Sequence, residues 1–121
     1  MTGVIIFGHG SPIESANESV RAVARAFARD AEYDFVEAAF LESGTPSLAG
    51  AADGLAGRGA TRILIVPYFL TLGLHLQRDL PRMVNEIAAN HPRVRIEVTP
   101  PLDGHPALLE ALRDRARGLQ S

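Results

Sequence analysis

The sequence contains no cysteine, no lysine and no tryptophan among its 121 residues. Without cysteine there can be no disulfide scaffold, no zinc knuckle, no iron–sulfur site and no thiol nucleophile. Without lysine the chain can form neither a Schiff base with a carbonyl substrate nor a P-loop that binds phosphate through its lysine. These two absences exclude several classes of enzyme before any motif is considered.

The sequence also lacks an excess of charge and any long apolar run. Its 12 basic residues are offset by 14 acidic ones, and the net charge of −2 argues against a nucleic-acid partner. No stretch approaches the roughly 18 uninterrupted apolar residues that span a membrane, and the first residues lack the segments of a signal peptide. We therefore expect a cytoplasmic protein without a membrane partner, folded as one domain over residues 1–121.

Apolar, strand-like segments alternate with helix-like segments four times along the chain. The predicted strands cover residues 3–8, 35–41, 62–70 and 93–99. The first helix is predicted to begin near Ser11 or one turn later, since Ser15 to Glu18 repeats the capping box of Ser11 to Glu14. The other helices are predicted to begin near Thr45, Asp79 and Gly104. Because βα units are joined by right-handed crossovers, this order predicts an α/β fold with a parallel sheet and helices on both faces.

Polar side chains follow the predicted strands at the edge where parallel strands end together. His9 follows the first strand between two glycines, Glu42 follows the second strand, and His75 follows the third. Ligands of open parallel sheets bind outside this carboxyl edge, so we expect these side chains to share a site. Imidazole and carboxylate ligands suit a borderline divalent ion such as cobalt, nickel, iron or zinc.

The segment from Leu70 to Leu76 is unusually apolar for a loop, since leucine recurs there at every second position. Such a loop has to be covered by the core, by a partner chain or by a flat apolar ligand. The last helix carries further leucines, which are expected in the core. These are Leu108, Leu109 and Leu112.

The two remaining histidines are predicted to have structural roles. His91 ends the third predicted helix, where a histidine favours the helix dipole, and His105 stands at the start of the last helix. Asp79 is expected to cap the third helix.

Several of these segments together resemble a known enzyme family. The motifs are Gly-His-Gly-Ser at residues 8–11, Ala-Asn-Glu at 16–18, Phe-Leu-Glu at 40–42, Val-Pro-Tyr-Phe-Leu at 66–70, Gly-Leu-His at 73–75 and Asp-Leu-Pro at 79–81. Their combination resembles the small, single-domain class II tetrapyrrole chelatases of the CbiX type, which include the sirohydrochlorin cobaltochelatases. The resemblance covers nearly the whole chain.

The resemblance implies a chelatase-like αβα sandwich whose four parallel strands lie in the order 2-1-3-4. It implies that His9 and His75 bind the metal and help to deprotonate the macrocycle, with Glu42 as a further catalytic residue. Ser11 and Leu74 are expected to bind the tetrapyrrole. The divalent metal is a substrate, cobalt in the first place and otherwise iron or nickel, and no organic cofactor is implied.

A single small lobe would cover only one face of the sirohydrochlorin disc, so we expect a homodimer that rebuilds a two-lobed cleft. Two alternatives stay open on the sequence alone: a non-catalytic flavodoxin-like module that binds a metal or a tetrapyrrole, and a non-enzymatic assembly protein. An α/β-hydrolase is excluded because the chain has no Gly-x-Ser-x-Gly elbow. A histidine phosphatase would need arginine where this chain has Gly8.

Overall fold

The computed structural model describes residues 1–30 and 32–120, in which strands and helices alternate along the chain. The strands are β1 (Thr2–Gly8), β2 (Phe35–Phe40), β3 (Arg62–Pro67) and β4 (Arg95–Val98). The helices are α1 (Glu14–Ala28), α2 (Leu48–Gly57), α3 (Leu74–Asn90) and α4 (Pro106–Arg117). None of the helices in these two ranges has the length and apolar character needed to cross a membrane.

The four strands form one parallel sheet in the order β2-β1-β3-β4, which confirms the predicted fold class and strand order. β1 pairs with β2 up to Gly8 opposite Phe40, and with β3 up to Phe7 opposite Pro67. Because both pairings are parallel and in register, the three strands end at the same edge of the sheet. The residues that follow them are therefore brought together there.

β1 is buried on both faces because helices cover both sides of the sheet. Ile5 and Phe7 lie in the larger core cluster, to which α2 and α3 contribute. Val4 and Ile6 lie in the smaller cluster on the opposite face, to which α1 contributes Ala24. This arrangement explains why the first strand is a continuous apolar run rather than an alternating one.

α3 begins at Leu74 rather than at Asp79, so the prediction that Asp79 caps this helix is wrong. Gly73 is its N-cap residue, and Pro81 lies inside the helix. Aspartate shortly before proline is typical of a helix start, whereas glycine has no side chain with which to cap one. As a consequence, His75 lies in the first turn of a helix and not in a loop.

α4 contains no buried residue, so the prediction that its leucines belong to the core is wrong. Leu109 is 52% exposed and Leu112 is 68% exposed. Within the described residues, α4 makes at most marginal contact with the sheet and the other helices. The amphipathic pattern predicted the helix, but it could not show that the rest of the chain leaves its apolar side uncovered.

α1 begins at Glu14, within the one turn over which its start was predicted. α2 begins at Leu48 rather than near Thr45. The hydroxyl of Ser47 caps α2 by accepting a main-chain hydrogen bond from its first turn.

The structural roles predicted for the other two histidines are confirmed. Nδ1 of His105 accepts a hydrogen bond from the main-chain nitrogen of Ala107 at 3.0 Å and caps α4. His91 ends α3, and its Nε2 lies 2.6 Å from Oδ1 of Asp53, which joins the end of α3 to α2.

Candidate functional site

His9 leaves the sheet at the end of β1, directly beside Glu42 at the end of β2. Main-chain pairing continues past the strands, since Leu41 N donates to Gly8 O and Glu42 N donates to His9 O, both at 3.0 Å. Nδ1 of His9 lies 3.7 Å from Oε1 of Glu42, and both side chains are largely exposed. The sheet therefore brings this imidazole and this carboxylate together, as the parallel topology requires.

The hydrogen bonds of His9 leave one ring nitrogen free. Nδ1 lies 3.2 Å from the carbonyl oxygen of Gly10. A carbonyl oxygen only accepts, so we assign the proton of the neutral ring to Nδ1 and the lone pair to Nε2. The ring packs edge-to-face against Phe69, with 6.2 Å between the ring centroids. Nε2 is thus the nitrogen of His9 that can bind a metal ion.

Gly10 allows the loop after β1 to approach the loop after β2. Its φ of +89° lies in the left-handed region that side chains disfavour. A Cβ atom at this position would lie 1.7 Å from the carbonyl oxygen of Glu42. No residue other than glycine fits here unless Glu42 moves.

Asn17 of α1 connects the loop after β1 to the loop after β2 by hydrogen bonds. Among residues 1–30 and 32–120 it is the one fully buried polar side chain, with 1% exposed. Oδ1 accepts from Ser11 N, and Nδ2 donates to the carbonyl oxygens of Ser11 and Ser43, all at 2.8 Å. From its sequence pattern Asn17 was recognised only as part of the Ala-Asn-Glu motif, without a role of its own. The missed signal was a polar residue in line with Val20 and Ala24 on the inward face of α1.

Ser11 is engaged within its own loop. Its Oγ accepts a hydrogen bond from Ile13 N at 3.0 Å, and its main chain is held by Asn17. Ser11 does not line the cleft that contains the two histidines. Its contact with a tetrapyrrole stays a prediction.

His75 has the opposite hydrogen-bonding state from His9. Nδ1 of His75 lies 3.1 Å from a terminal nitrogen of the Arg78 guanidinium, one turn further along α3. A guanidinium only donates, so Nδ1 accepts, and the neutral ring carries its proton on Nε2. The lone pair of His75 is therefore engaged by Arg78, whereas that of His9 is free.

His9 and His75 line the same cleft, which has a volume of about 410 Å³ and opens at the carboxyl edge of the sheet. Its apolar wall is formed by Leu41, Phe69, Leu74, Leu76 and Met83. Its polar lining consists of the two histidines, Thr71, Asp79 and Arg82. Oδ1 of Asp79 lies 3.4 Å from the guanidinium of Arg82 and 3.7 Å from that of Arg78. The cleft thus combines an apolar wall with two imidazoles and a mixed-charge rim.

The leucine segment is divided between the core and the cleft surface. Leu76 is buried, and Leu72 packs against the larger core cluster. Leu70 and Leu74 are 65% and 78% exposed. The core therefore covers part of this segment and leaves two large apolar side chains in contact with water.

Residues 1–30 and 32–120 contain no group of three or more histidine, cysteine or acidic side chains close enough to hold a metal ion. Glu42 accompanies His9, but it is not among the residues that line the cleft with His75. This is an open arrangement, unlike the closed ligand sets of structural metal sites.

Comparison with known proteins identifies the family. The CbiX family model matches residues 3–119. This chain belongs to the CbiX family. The resemblance that the motifs indicated is thereby confirmed.

The relatives include enzymes named for two different metals. The chain is 37% identical over 83 residues to the sirohydrochlorin cobaltochelatase of Methanosarcina barkeri, a match that covers 69% of this chain and 64% of that protein. It is 31% identical over 113 residues to the chloroplastic sirohydrochlorin ferrochelatase of Arabidopsis thaliana, which covers 93% of this chain and 50% of that protein. The chain thus spans between half and two thirds of the length of these relatives.

A solved CbiX-family structure has the same fold at nearly the same length. The CbiX protein from Marinobacter aquaeolei VT8 matches with a TM-score of 0.85 and 29% identity. The match covers 98% of this chain and 96% of that one. A compact version of the fold therefore exists beside the longer relatives.

We expect Gly10→Ala to destabilise the protein by more than about 1 kcal/mol, because the new methyl group would collide with Glu42 in a strained backbone conformation. The matched control is Gly54→Ala in α2, where no atom lies within 4 Å of the added methyl group. It should stabilise the helix by about 1 kcal/mol. Urea unfolding of the two variants measures both effects, and equal changes in stability would contradict this account of the loop.

Proposed function

We propose that this chain is a sirohydrochlorin chelatase that inserts a divalent metal ion into the tetrapyrrole during cobalamin or siroheme biosynthesis. Cobalt is the first candidate, followed by iron and nickel. The observation that carries the proposal is that His9 and His75 line one apolar cleft in a member of the CbiX family. We propose that it acts as one chelatase-like domain over residues 1–121 in the cytoplasm, without an organic cofactor and without a nucleic-acid or membrane partner.

The chemistry of the cleft suits the substrate. A tetrapyrrole is a flat apolar disc with carboxylates on its rim. Phe69 and the exposed Leu74 offer an apolar wall to the disc. Arg82 lines the same cleft with most of its side chain exposed, and a guanidinium binds a carboxylate through parallel hydrogen bonds. We assign Leu74 to the disc and Arg82 to a carboxylate of the rim.

Insertion replaces two pyrrole N–H protons by one divalent ion, so the products are the metallated macrocycle and two protons. Nε2 of His9 replaces a water molecule of the incoming ion. Its Nδ1–H is held by the carbonyl oxygen of Gly10 at 3.2 Å, and Oε1 of Glu42 lies 3.7 Å from the same nitrogen. An acceptor and a negative charge behind an imidazole fix the ring and raise its strength as a ligand. Glu42 therefore acts through His9 in this scheme.

Once its lone pair is released, Nδ1 of His75 binds the ion as second ligand. As the ion passes to a pyrrole nitrogen, the same lone pair accepts the proton that this nitrogen gives up, and the second pyrrole proton goes to solvent water. Arg78 engages that lone pair in the structure and lies 3.7 Å from Asp79, which lines the cleft, so we propose that its long side chain turns towards a substrate carboxylate. Arrival of an anionic macrocycle would draw Arg78 away and free Nδ1 of His75. Binding of the substrate would then also release the lone pair of His75 that accepts the proton.

We expect His75→Ala to reduce the rate of metal insertion at least 100-fold or so, which is the usual cost of losing a general base. His91→Ala should leave the rate within about a factor of two, because His91 joins α3 to Asp53 far along the helix from the cleft. His9→Ala should also lose most activity. Visible absorption of sirohydrochlorin with Co²⁺, Fe²⁺ or Ni²⁺ follows the reaction.

Similar rates for the His75→Ala and His91→Ala variants would contradict the assignment of the base. A protein that binds both sirohydrochlorin and metal but produces no metallated product with any of the three ions would instead be a binding module.

We expect Co²⁺ binding to weaken steadily from about pH 8 to about pH 5, because a protonated imidazole cannot coordinate an ion. Isothermal titration across this range measures the affinity, with the His9→Ala/His75→Ala double variant as control. The double variant should show weak binding at every pH. An affinity of the native protein that stays flat over the range would indicate ligation by carboxylates alone.

We also propose that the active form is a homodimer. One lobe leaves a face of the macrocycle in water, and it leaves Leu70 and Leu74 exposed beside the cleft. A second copy related by a two-fold axis would cover the exposed face of the macrocycle and these two leucines.

Sedimentation equilibrium at micromolar concentration should therefore give twice the mass of the chain. The proposal fails if the protein sediments as a monomer and still inserts metal at its full rate.

A further inference from the structure

Asp79 lines the cleft but does not cap the helix that contains it. It lies inside α3, two residues before Pro81. Aspartate is less favourable than alanine in a helix interior, because its side chain competes for main-chain hydrogen bonds. Among the described residues that line the cleft with His9 and His75, Asp79 is the one acid. Its place beside the two imidazoles therefore needs an explanation other than helix stability.

His75 and Asp79 lie one turn apart on α3, and both line the cleft. Residues at this i, i+4 spacing are neighbours on a helix surface, with about 5–6 Å between their Cβ atoms. Two histidines at the same spacing bind one zinc ion in helical metal sites. The imidazole and the carboxylate of this pair are therefore spaced so that they can bind one ion together.

The guanidinium of Arg78 already places a positive charge between these two groups. One of its terminal nitrogens lies 3.1 Å from Nδ1 of His75, and its Nε lies 3.7 Å from Oδ1 of Asp79. The same Oδ1 lies 3.4 Å from the guanidinium of Arg82. The side chains of Arg78 and Arg82 are 71% and 69% exposed, so both can turn into water at little cost. An imidazole lone pair and a carboxylate thus share a cation that can be replaced.

We propose that Asp79 is a metal ligand, and that the incoming divalent ion replaces the Arg78 guanidinium between Nδ1 of His75 and Oδ1 of Asp79. This inference deepens the proposed function and rests on it. With Nε2 of His9, the protein then supplies two imidazoles and one carboxylate, and water keeps the other positions of the ion. A ligand set with open positions can still pass the ion to a macrocycle.

Glu42 is the other acid near the histidines, but its position differs. Its Oε1 lies 3.7 Å from Nδ1 of His9, which is the nitrogen that carries the proton. Glu42 is not among the residues that line the cleft with His75. The two acids therefore have separate roles, since Asp79 contacts the ion and Glu42 acts through His9.

Replacement of the guanidinium by the ion also affects the second substrate. Once displaced from Asp79, Arg78 and Arg82 can bind carboxylates on the rim of a tetrapyrrole. The carboxylate of Asp79 in turn offsets part of the charge of the ion inside an apolar cleft, where an uncompensated charge is costly. Binding of the ion and binding of the macrocycle would then favour each other, because coupling between two ligands is reciprocal.

Infrared difference spectroscopy of the full chain, with and without Co²⁺, tests the ligand directly. One sample carries a heavy carbon isotope in the side-chain carboxyl groups of aspartate, and a second carries it in those of glutamate. We expect Co²⁺ to shift a carboxylate band of the aspartate-labelled protein, and Asp79→Asn to abolish that shift. The matched control is Asp114→Asn at an exposed position of α4, which should keep the shift.

Three outcomes of this experiment would overturn the proposal. A shift confined to the glutamate-labelled protein would assign the carboxylate ligand to Glu42. A shift in the aspartate-labelled protein that Asp79→Asn leaves in place would assign it to another aspartate, and no shift in either sample would exclude a carboxylate ligand. Co²⁺ is the only ligand added, so these outcomes are independent of metal insertion. A chain that does not metallate sirohydrochlorin would lose the proposed function, whereas the infrared bands alone decide the role of Asp79.

Removal of the competing guanidinium provides a second test. Arg78→Ala should tighten Co²⁺ binding about 10-fold, because the ion no longer has to displace a charged hydrogen-bond donor from His75. Arg25→Ala removes the same charge from an exposed position on α1 and should leave the affinity unchanged. Isothermal titration with Co²⁺ measures both variants beside the native protein. Equal affinities of the two variants would contradict the replacement of Arg78 by the ion.

Discussion

The arrangement of the cleft depends on the parallel pairing of β1 with β2 on one side and with β3 on the other. The pairing of β1 with β2 ends with Gly8 opposite Phe40. Two further main-chain hydrogen bonds extend this pairing to His9 and Glu42. The close approach of the loop after β1 to Glu42 requires glycine at residue 10. The buried side-chain amide of Asn17 forms hydrogen bonds with the loops after β1 and β2. The positions of the imidazole and the carboxylate thus follow from the hydrogen bonding of the central strand.

The two histidines differ in a way that suits transfer of an ion rather than storage. His9 has a free Nε2 and a carboxylate behind its Nδ1, whereas His75 has its lone pair engaged by Arg78. An ion bound to His9 alone would keep most of its water and exchange readily. The second imidazole becomes available when Arg78 moves. Repulsion by an arriving cation would displace this guanidinium, and the carboxylates of the substrate we propose would hold it away.

Local patterns predicted the strands and the residues at the sheet edge, because buried parallel strands and strand ends leave strong local signals. The strand order was implied by the family resemblance, and the structure confirms it. Prediction from the sequence failed where two local signals competed and where the burial of an apolar helix side had to be known. Asp79 and Pro81 form a pattern typical of a helix start, although they lie inside α3. The actual N-cap residue is Gly73, which has no side chain that could indicate the start. The leucines of α4 marked an apolar side, but periodicity cannot show whether the covering surface belongs to the same chain. The role of Asn17 depends on loops that are distant in sequence.

We propose that His9 and His75, which line one cleft, bind the same metal ion. X-ray absorption at the cobalt edge of the Co²⁺-loaded protein tests it most directly, because imidazole ligands give a characteristic multiple-scattering pattern. We expect two imidazole ligands in the native protein and one in each of the single variants His9→Ala and His75→Ala. A spectrum with oxygen ligands alone, or one that the loss of His75 leaves unchanged, would contradict it.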